Sequence, residues 1–253
     1  MNTLGKSNKH THLTTLALAL GLIIMGGVVQ AKPATNIAPL LGSASNFAVL
    51  SAAPDALGAV TLTNSTVNGN VGSSGPMVSV VLTETLPEST ITGAIIAPVS
   101  TKVLTDFNKA YNALAAVRCG TVLTGTLAGV TLAPGVYCFE TAAELTGVLT
   151  LDGPANGIWI IKIGTSGTGA LTGTNFSVVM AGGGQPCNVY WGVSDAATLT
   201  DSAFVGTILA GAAITTTGGT FTGNALAKAG VTMTDTTVTG CNATGGGKGG
   251  KGR

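Results

Sequence analysis

Three rows near the C-terminus decide the fold: ATLTDSAFVGTILA (residues 197–210), ITTTGGTFTGNALA (214–227) and VTMTDTTVTG (231–240). Each row begins 17 residues after the row before it. This offset aligns Phe204 with Phe221 and Gly206 with Gly223, and the third row continues both series. Short alternating strands with glycine corners at a fixed period predict stacked β-coils, because one coil can bury its inward residues only against its neighbours.

The same phrase recurs upstream at looser spacing, with a period of about 17 to 27 residues. The related segments are STVNG (65–69), STITG (89–93), LTGTL (123–127), LTGVL (145–149) and LTGT (171–174). Propeller blades need about 40 residues or more each, and helix pairs need longer, less β-branched units. A mainly β solenoid is the better interpretation, and an ordinary β-sandwich is the alternative.

One segment departs from this pattern and predicts a single α-helix over residues 100–118. Its apolar residues fall on one helical face, namely Val103, Phe107, Ala110, Leu114 and Val117. Ser100 is the predicted N-cap, and Lys102 and Asp106 form an i, i+4 pair on the exposed side. A helix with one apolar stripe needs a partner surface, and one flank of the solenoid is the simplest candidate.

Composition excludes several classes of protein. Only 8% of the 253 residues are charged and the formal net charge is +1, so no strong field attracts nucleic acid or an acidic membrane. Glycine (38 residues) and threonine (39) make up almost a third of the chain, but glycine has no period of three, which excludes collagen. Because 45% of the residues are hydrophobic, the chain is not typical of a disordered protein either.

Residues 1–31 have the features of a secretory signal peptide: early lysines, a mostly apolar stretch and a small-x-small site ending at Ala31. An uncleaved anchor is the alternative. Both histidines, His10 and His12, lie in this segment, so the secreted mature chain would contain none. That excludes histidine-based catalysis and histidine-liganded zinc, and we expect no enzymatic activity, no metal and no cofactor.

Four cysteines in an exported chain suggest two disulfides, and their spacing does not resemble a metal or redox motif. Three pairings are open. Proximity in sequence favours Cys119–Cys138, which leaves Cys187–Cys241, and free buried cysteines are the alternative. The predicted domain is a single solenoid over residues 32–241. Residues 242–253, which include GGGKGGKGR, are predicted to be a flexible glycine and lysine tail.

Alternation along the three rows assigns each side chain to the interior or to the surface. Thr216 falls at an inward position, so its hydroxyl would need a buried partner. Outward threonines form two files, with about 4.8 Å between neighbours in a file and about 6.7 Å between files. The first file is Thr198, Thr215 and Thr232, and the second is Thr200, Thr217 and Thr234.

Earlier strands extend this surface through Thr61 and Thr63 and through Thr168, Ala170 and Thr172. High β-propensity explains threonine on any exposed sheet, but it explains less well why lysine and glutamate are scarce, since solvated faces are usually rich in charge. A regular uncharged array of hydroxyl and methyl groups is suited to ordering water.

The chain resembles the secreted microbial ice-binding (antifreeze) proteins that have a discontinuous right-handed β-solenoid fold. The resemblance covers about residues 40–241. It rests on LGSASNFAVL (41–50), VNGNVG (67–72), DFNKAYN (106–112), LAPGVYCF (132–139), LTLDG (149–153), CNVYW (187–191) and GTILA (206–210).

The resemblance implies a triangular solenoid with one long helix alongside, and N-terminal coils that do not simply precede the C-terminal coils in space. It also implies that one flat face binds ice, which would be the partner of a monomeric chain. Carried over by position, this face comprises Thr61, Thr63, Thr168, Ala170, Thr172, Thr198, Thr200, Thr215, Thr217, Thr232 and Thr234. Glu144 is expected at one end of the same face, where a charge would disturb its flatness.

Two other functions compete with ice binding as interpretations of the sequence. A polysaccharide-cleaving β-helix enzyme needs paired acids in a groove, and few aromatic residues are available here to stack on sugars. The acid pairs that are near in sequence are Glu84 and Glu88, Asp195 and Asp201, and Glu140 and Glu144. The alternative that stays open is a passive cell-surface or matrix adhesion protein with the same fold and no activity on ice.

Overall fold

The computed structural model describes Met1 and residues 37–54, 58–75, 77–81 and 88–242. Apart from Met1, the predicted signal peptide lies outside these described residues, as does the predicted tail beyond Asn242. Among the described residues, none of the helices is both long enough and apolar enough to span a membrane.

The chain forms short strands linked by tight corners, together with one α-helix, α1, at Thr101–Ala116. Short 3-10 helices lie at Gly42–Asn46 and Pro186–Asn188. The strands are β1 Phe47–Ser51, β2 Ala59–Thr63, β3 Thr66–Asn68, β4 Asn70–Ser73, β5 Met77–Val81, β6 Thr90–Ile91, β7 Ile95–Ile96, β8 Thr121–Val122, β9 Val130–Leu132, β10 Gly135–Phe139, β11 Ala143–Asp152, β12 Trp159–Ile163, β13 Leu171–Ala181, β14 Val189–Val193, β15 Ala197–Val205, β16 Thr207–Ala210, β17 Ile214–Thr222, β18 Ala225–Ala227, β19 Val231–Thr234 and β20 Thr237–Thr239.

These strands form two parallel sheets around an apolar interior. The helix-side sheet has the order β7-β4-β1-β18-β16-β14-β12-β10-β8. The outer sheet has the order β5-β2-β19-β17-β15-β13-β11-β9. In addition, β20 pairs with β17 and with β3, and β3 pairs with β6. Along most of the stack, each coil adds a strand to both sheets, which confirms the predicted β-solenoid.

The coils stack in a different order from their order in the sequence. β1 lies between β4 and β18, and β2 pairs with β19 so that Val60 is opposite Val231. The coils before α1 therefore stack on the last coil of the chain and not on the coil that follows the helix. This arrangement confirms the discontinuous solenoid that the family resemblance implies.

Strands of the outer sheet bend at single residues in the left-handed conformation, which we call the corner. Asn64, Asp201 and Asp235 have φ angles of 49°, 48° and 51°, and Asn and Asp tolerate this region better than most residues. The corner divides the outer sheet into two faces. The threonine face comprises residues 59–63, 143–145, 171–174, 197–200, 214–217 and 231–234, and the second face comprises residues 66–68, 90–91, 130–132, 148–152, 177–181, 203–205, 220–222 and 237–239.

The helix packs its apolar stripe on the outward side of the helix-side sheet, as predicted. Val103, Phe107, Ala110 and Leu114 are buried there. The sheet residues in the same cluster include Leu50, Ile160, Tyr190, Leu209 and Leu226. The helix is shorter than the predicted 100–118: Val117 has an extended backbone and is only half-buried, and Ser100 is the N-cap without a side-chain hydrogen bond.

The interior explains why the 17-residue rows keep their aromatic and glycine positions. Phe204 and Phe221 are buried on neighbouring coils and stack with ring centroids 5.2 Å apart. Gly206 and Gly223 have φ angles of 117° and 142°, and a Cβ on Gly223 would lie 2.1 Å from the Gly206 carbonyl oxygen. A larger residue at this turn would clash with the backbone of the preceding coil.

Both disulfides that proximity in sequence favours are present. Cys119 and Cys138 join the end of the helix segment to β10, with Cα atoms 5.8 Å apart. Cys187 and Cys241 join the start of β14 to the end of the last coil, with Cα atoms 5.7 Å apart. None of the four cysteines is free.

Candidate binding face

The first file of threonines is continuous across five strands of the threonine face. Parallel pairing places its members opposite one another on neighbouring strands, so about 4.8 Å separates successive threonines. In stacking order the file is Thr61, Thr232, Thr215, Thr198 and Thr172. Each side chain is exposed or half-buried, whereas the strand residues on both sides of it are buried. The structure therefore brings these five predicted residues together.

The second file runs beside the first, two residues further along each strand. Its members in stacking order are Thr63, Thr234, Thr217, Thr200 and Thr174. Four of them were predicted, and Thr174 was not. The signal for Thr174 was present in the sequence, because LTGT at 171–174 has threonines at the same places as ATLT at 197–200.

Thr168 does not belong to either file, and its place on the binding face stays a prediction. It lies in the connection before β13 and forms no pair with a neighbouring strand. The strand begins only at Leu171, whose side chain enters the core opposite Ala197. The alternation of buried and exposed residues continues from Thr172 back to Thr168, but the pairing with the neighbouring strand begins only at Leu171.

Ala170 lies on the face, but in a third file of small residues immediately before each strand. Its carbonyl oxygen accepts a hydrogen bond from the Ala143 N–H at 2.9 Å, and the Leu171 N–H donates to the Ala196 carbonyl oxygen at 2.9 Å. The same pattern continues along the stack. The file comprises Ala142, Ala170, Ala196, Ala213, Gly230 and Ala59. It adds a strip of small residues, with a methyl group at every position except Gly230, beside the two threonine files.

Glu144 lies at one end of the first file, as expected. It is opposite Thr172 and exposed. Beyond β11 the threonine face has no further strand among the described residues, because β9 pairs only with the second-face half of β11, at residues 149–151. The array of uncharged side chains therefore ends at Glu144.

Buried hydroxyl groups support the face from below, next to the corner. Thr216 Oγ1 and Thr236 Oγ1 are 3.0 Å apart, so the buried hydroxyl of Thr216 has the partner that it was predicted to need. Thr236 Oγ1 also donates to the Thr234 carbonyl oxygen at 2.9 Å, and Ser202 Oγ makes the equivalent bond to Thr200. These bonds hold the strand ends in place at the corner.

The charged side chains of Lys102, Asp106 and Lys162 have well-defined partners on the helix side of the molecule. The Lys102 ammonium and the Ser43 N–H both bond Asp106 Oδ2, at 2.6 and 2.8 Å, and hold the pKa of Asp106 at about 2. Lys162 lines a cavity of about 330 Å³ beside the helix, and burial lowers its pKa. Its ammonium already donates to the carbonyl oxygens of Ala115 and Val117 at the helix end, at 2.7 and 2.6 Å, so it caps the helix.

Glu140 and Glu144 line one pocket, but the described residues do not form a metal site. They contain no group of three or more His, Cys, Asp or Glu side chains placed to hold a metal ion. Asp195 lies in a bend before β15 and Asp201 lies at the corner, with Ala197–Thr200 of the strand between them. Glu84 lies outside the described residues, so its pairing with Glu88 stays a prediction.

Comparison with solved structures agrees with this architecture. An ice-binding protein from an Antarctic biological consortium superimposes with a TM-score of 0.68 at 32% identity, covering 83% of this chain and 92% of that one. One from the Antarctic ascomycete Antarctomyces psychrotrophicus gives 0.68 at 32% identity, covering 79% and 96%. An Arctic yeast ice-binding protein, whose structure was used to explain its antifreeze activity, gives 0.68 at 26% identity, covering 81% and 95%.

Sequence comparison gives the same result. The ice-binding protein of Nostoc sp. (strain HG1) is 36% identical over 216 residues, which cover 79% of this chain and 71% of that protein. Ice-binding protein K1-A of Typhula ishikariensis is 31% identical over 223 residues, covering 79% and 87%. The family model described as Ice-binding-like matches residues 56–239. The chain therefore belongs to the Ice-binding-like family.

Proposed function

We propose that this chain is a secreted protein that adsorbs to ice crystals through the threonine face. The family to which the chain belongs is not a family of enzymes. The observation that carries the proposal is the unbroken register of the first file from Thr61 to Thr172. The second file, which runs parallel to the first, and the third file of small residues widen this surface. The names of the relatives support ice as the ligand.

The chemistry of the face accounts for adsorption. Each threonine hydroxyl can donate and accept a hydrogen bond, so it can take the place of a water in an ordered layer. Each methyl group disfavours random hydration beside it. Because inward side chains such as Leu199 and Met233 are buried at 3% and 0% exposure, the backbone beneath the threonines is held firmly and their spacing stays regular.

Adsorbed molecules would stop water from joining the crystal where they sit, so the growth of ice and its recrystallisation would both be inhibited. The scarcity of charge on the face is consistent with this role, since an ionic group would keep its own hydration shell instead of joining a regular water layer.

The direct test uses the chain from Lys32 to Arg253 in a thermal-hysteresis assay and an ice-recrystallisation assay. Thr215→Tyr should remove most of the activity, because a large ring in the middle of the first file prevents close contact along it. The matched control is Asn112→Tyr on the exposed side of α1, which should keep full activity. Circular dichroism of both variants shows whether the fold is unchanged.

The outcomes separate the two candidate functions. A correctly folded wild-type chain that shows no hysteresis and no inhibition of recrystallisation would reject ice binding and favour the passive adhesion protein. If Thr215→Tyr keeps its activity, ice is still the ligand, but it binds to another face of the chain.

Secretion and the monomeric state are separate parts of the proposal. Expression of the full chain should release a product whose N-terminus, read by mass spectrometry, lies near Lys32. Sedimentation of that product should give the mass of one chain.

A further inference from the structure

A second array of threonines lies on the second face, around the corner from the first. In the four coils of β17, β20, β3 and β6, a threonine occupies the same place on each strand. The file is Thr220, Thr237, Thr66 and Thr90, each opposite the next. Three of these side chains are exposed and Thr66 is half-buried. The threonine spacing on this face therefore repeats that of the threonine face.

A companion file lies two residues further along the same strands. It comprises Val205, Thr222, Thr239 and Asn68. Toward β11 and β13 the face becomes more apolar, with Val148 and Val179 exposed at 46% and 47%. Asp152, at the end of β11, is exposed and charged, but no position in the two files of this face carries a charge.

The second face is supported as firmly as the first. Phe221, Val238 and Val67 alternate with the threonines and point inward, with exposures of 1%, 0% and 0%. The Thr66 N–H also donates to the Thr236 carbonyl oxygen at 3.0 Å, which joins the N-terminal strand to the last coil. The threonines of this file therefore have a fixed spacing.

High β-propensity alone does not explain this surface, because the same molecule places charges elsewhere. The exposed side and end of α1 carry Lys102, Lys109 and Arg118. Soluble proteins usually have charged groups on a solvated sheet face. Both files of the second face lack charged residues, whereas the helix carries them. This difference indicates that charge is excluded from the threonine files of both outer faces.

We propose that the second face is a second ice-contacting surface, separated from the threonine face by the corner, where Asp201 and Asp235 are exposed. This proposal rests on the function proposed for the threonine face. Ice fits the second face better than a protein partner does, since the threonine files present no Trp, Tyr or Arg that could anchor a protein interface. Because the strands bend at the corner, the two faces point in different directions and would meet the crystal in different orientations.

The test compares which planes of a single ice crystal take up the fluorescently labelled mature chain. Thr237→Tyr should remove at least one plane from the wild-type pattern and leave others, and Thr215→Tyr should remove a different set. Thr220→Tyr, on the neighbouring coil, is a second variant of the same file. Asn112→Tyr is the matched control. Circular dichroism checks the fold of each variant.

The results distinguish this inference from the proposed function. If Thr237→Tyr and Thr220→Tyr, both folded, decorate the same planes as the wild type while Thr215→Tyr loses binding, the threonine face alone binds ice and the second-face proposal is wrong. A wild-type chain that decorates no plane overturns both proposals. Loss of different planes by the two groups of variants supports both.

Discussion

Thr61 and Thr232 lie opposite each other on β2 and β19, although α1 and most of the coils separate them in the sequence. The first file is therefore continuous only because the N-terminal coils stack on the last coil. Thr61→Tyr should lower thermal hysteresis severalfold, as Thr215→Tyr should, because both rings interrupt one file. The measurement is hysteresis at equal protein concentration with Asn112→Tyr as control. Full activity of Thr61→Tyr would show that contact with ice stops at β19.

The strand register places Thr174 in the second file and leaves Thr168 outside both files. Thr174 is paired with Thr200 in the second file, whereas Thr168 lies in the connection before β13. Thr174→Tyr should reduce recrystallisation inhibition severalfold, and Thr168→Tyr should leave it close to the wild-type level. Equal losses in the two variants would mean that the binding surface extends beyond the sheet onto that connection.

Glu144 ends the first file next to Thr172. Glu144→Thr should extend the uncharged array by one coil and raise thermal hysteresis modestly. The reason is that the variant removes a carboxylate whose hydration shell does not fit a regular water layer. Glu140→Thr is the control, since Glu140 is exposed in the turn before β11 and outside the files. An equal rise in both variants would point to net charge and not to the face.

Thr216 and Thr236 form a buried hydroxyl pair in which the two members differ. Without the Thr216 hydroxyl, Thr236 Oγ1 still reaches the Thr234 carbonyl oxygen at 2.9 Å, so Thr216→Val should cost about 1 kcal/mol or less. Thr236→Val leaves the buried Thr216 hydroxyl without this partner and should cost about 1–3 kcal/mol. Urea unfolding of both variants measures the difference, and equal costs would contradict this account of the pair.

Asp106 joins α1 to the N-terminal segment and should make stability depend on pH. Its pKa in the folded chain is about 2, below the usual value of 3.8. The stabilisation is therefore complete above pH 4 and is lost as the pH falls toward 2. Asp106→Asn should lower the urea midpoint at pH 7 and flatten this part of the pH profile.

A second variant separates the two partners of Asp106. Lys102→Gln, which keeps the Ser43 bond, should have a smaller effect than Asp106→Asn on both the midpoint and the profile. A profile of Asp106→Asn that still matches the wild type between pH 4 and 2 would assign the acid sensitivity to another group.

The sequence by itself determined the features that depend on short-range periodicity. Alternation placed Thr216 inside and Thr198 and Thr215 outside, because successive side chains of a strand point to opposite sides wherever the strand is regular. A stripe of apolar residues predicted the helix and its buried side for the same reason. The 17-residue offset predicted the stacking of the last three coils.

Where successive coils do not repeat at a fixed number of residues, only the tertiary structure decided which strands are neighbours. Alternation continues from Thr172 back to Thr168, and only the strand pairing shows that Thr168 lies outside the sheet and that Thr174 is opposite Thr200. The stacking of the N-terminal coils on the last coil depends on pairs such as Val60 and Val231, which are distant in sequence. The bend at the corner, which divides one long sheet into two faces, is likewise decided by how neighbouring coils pack.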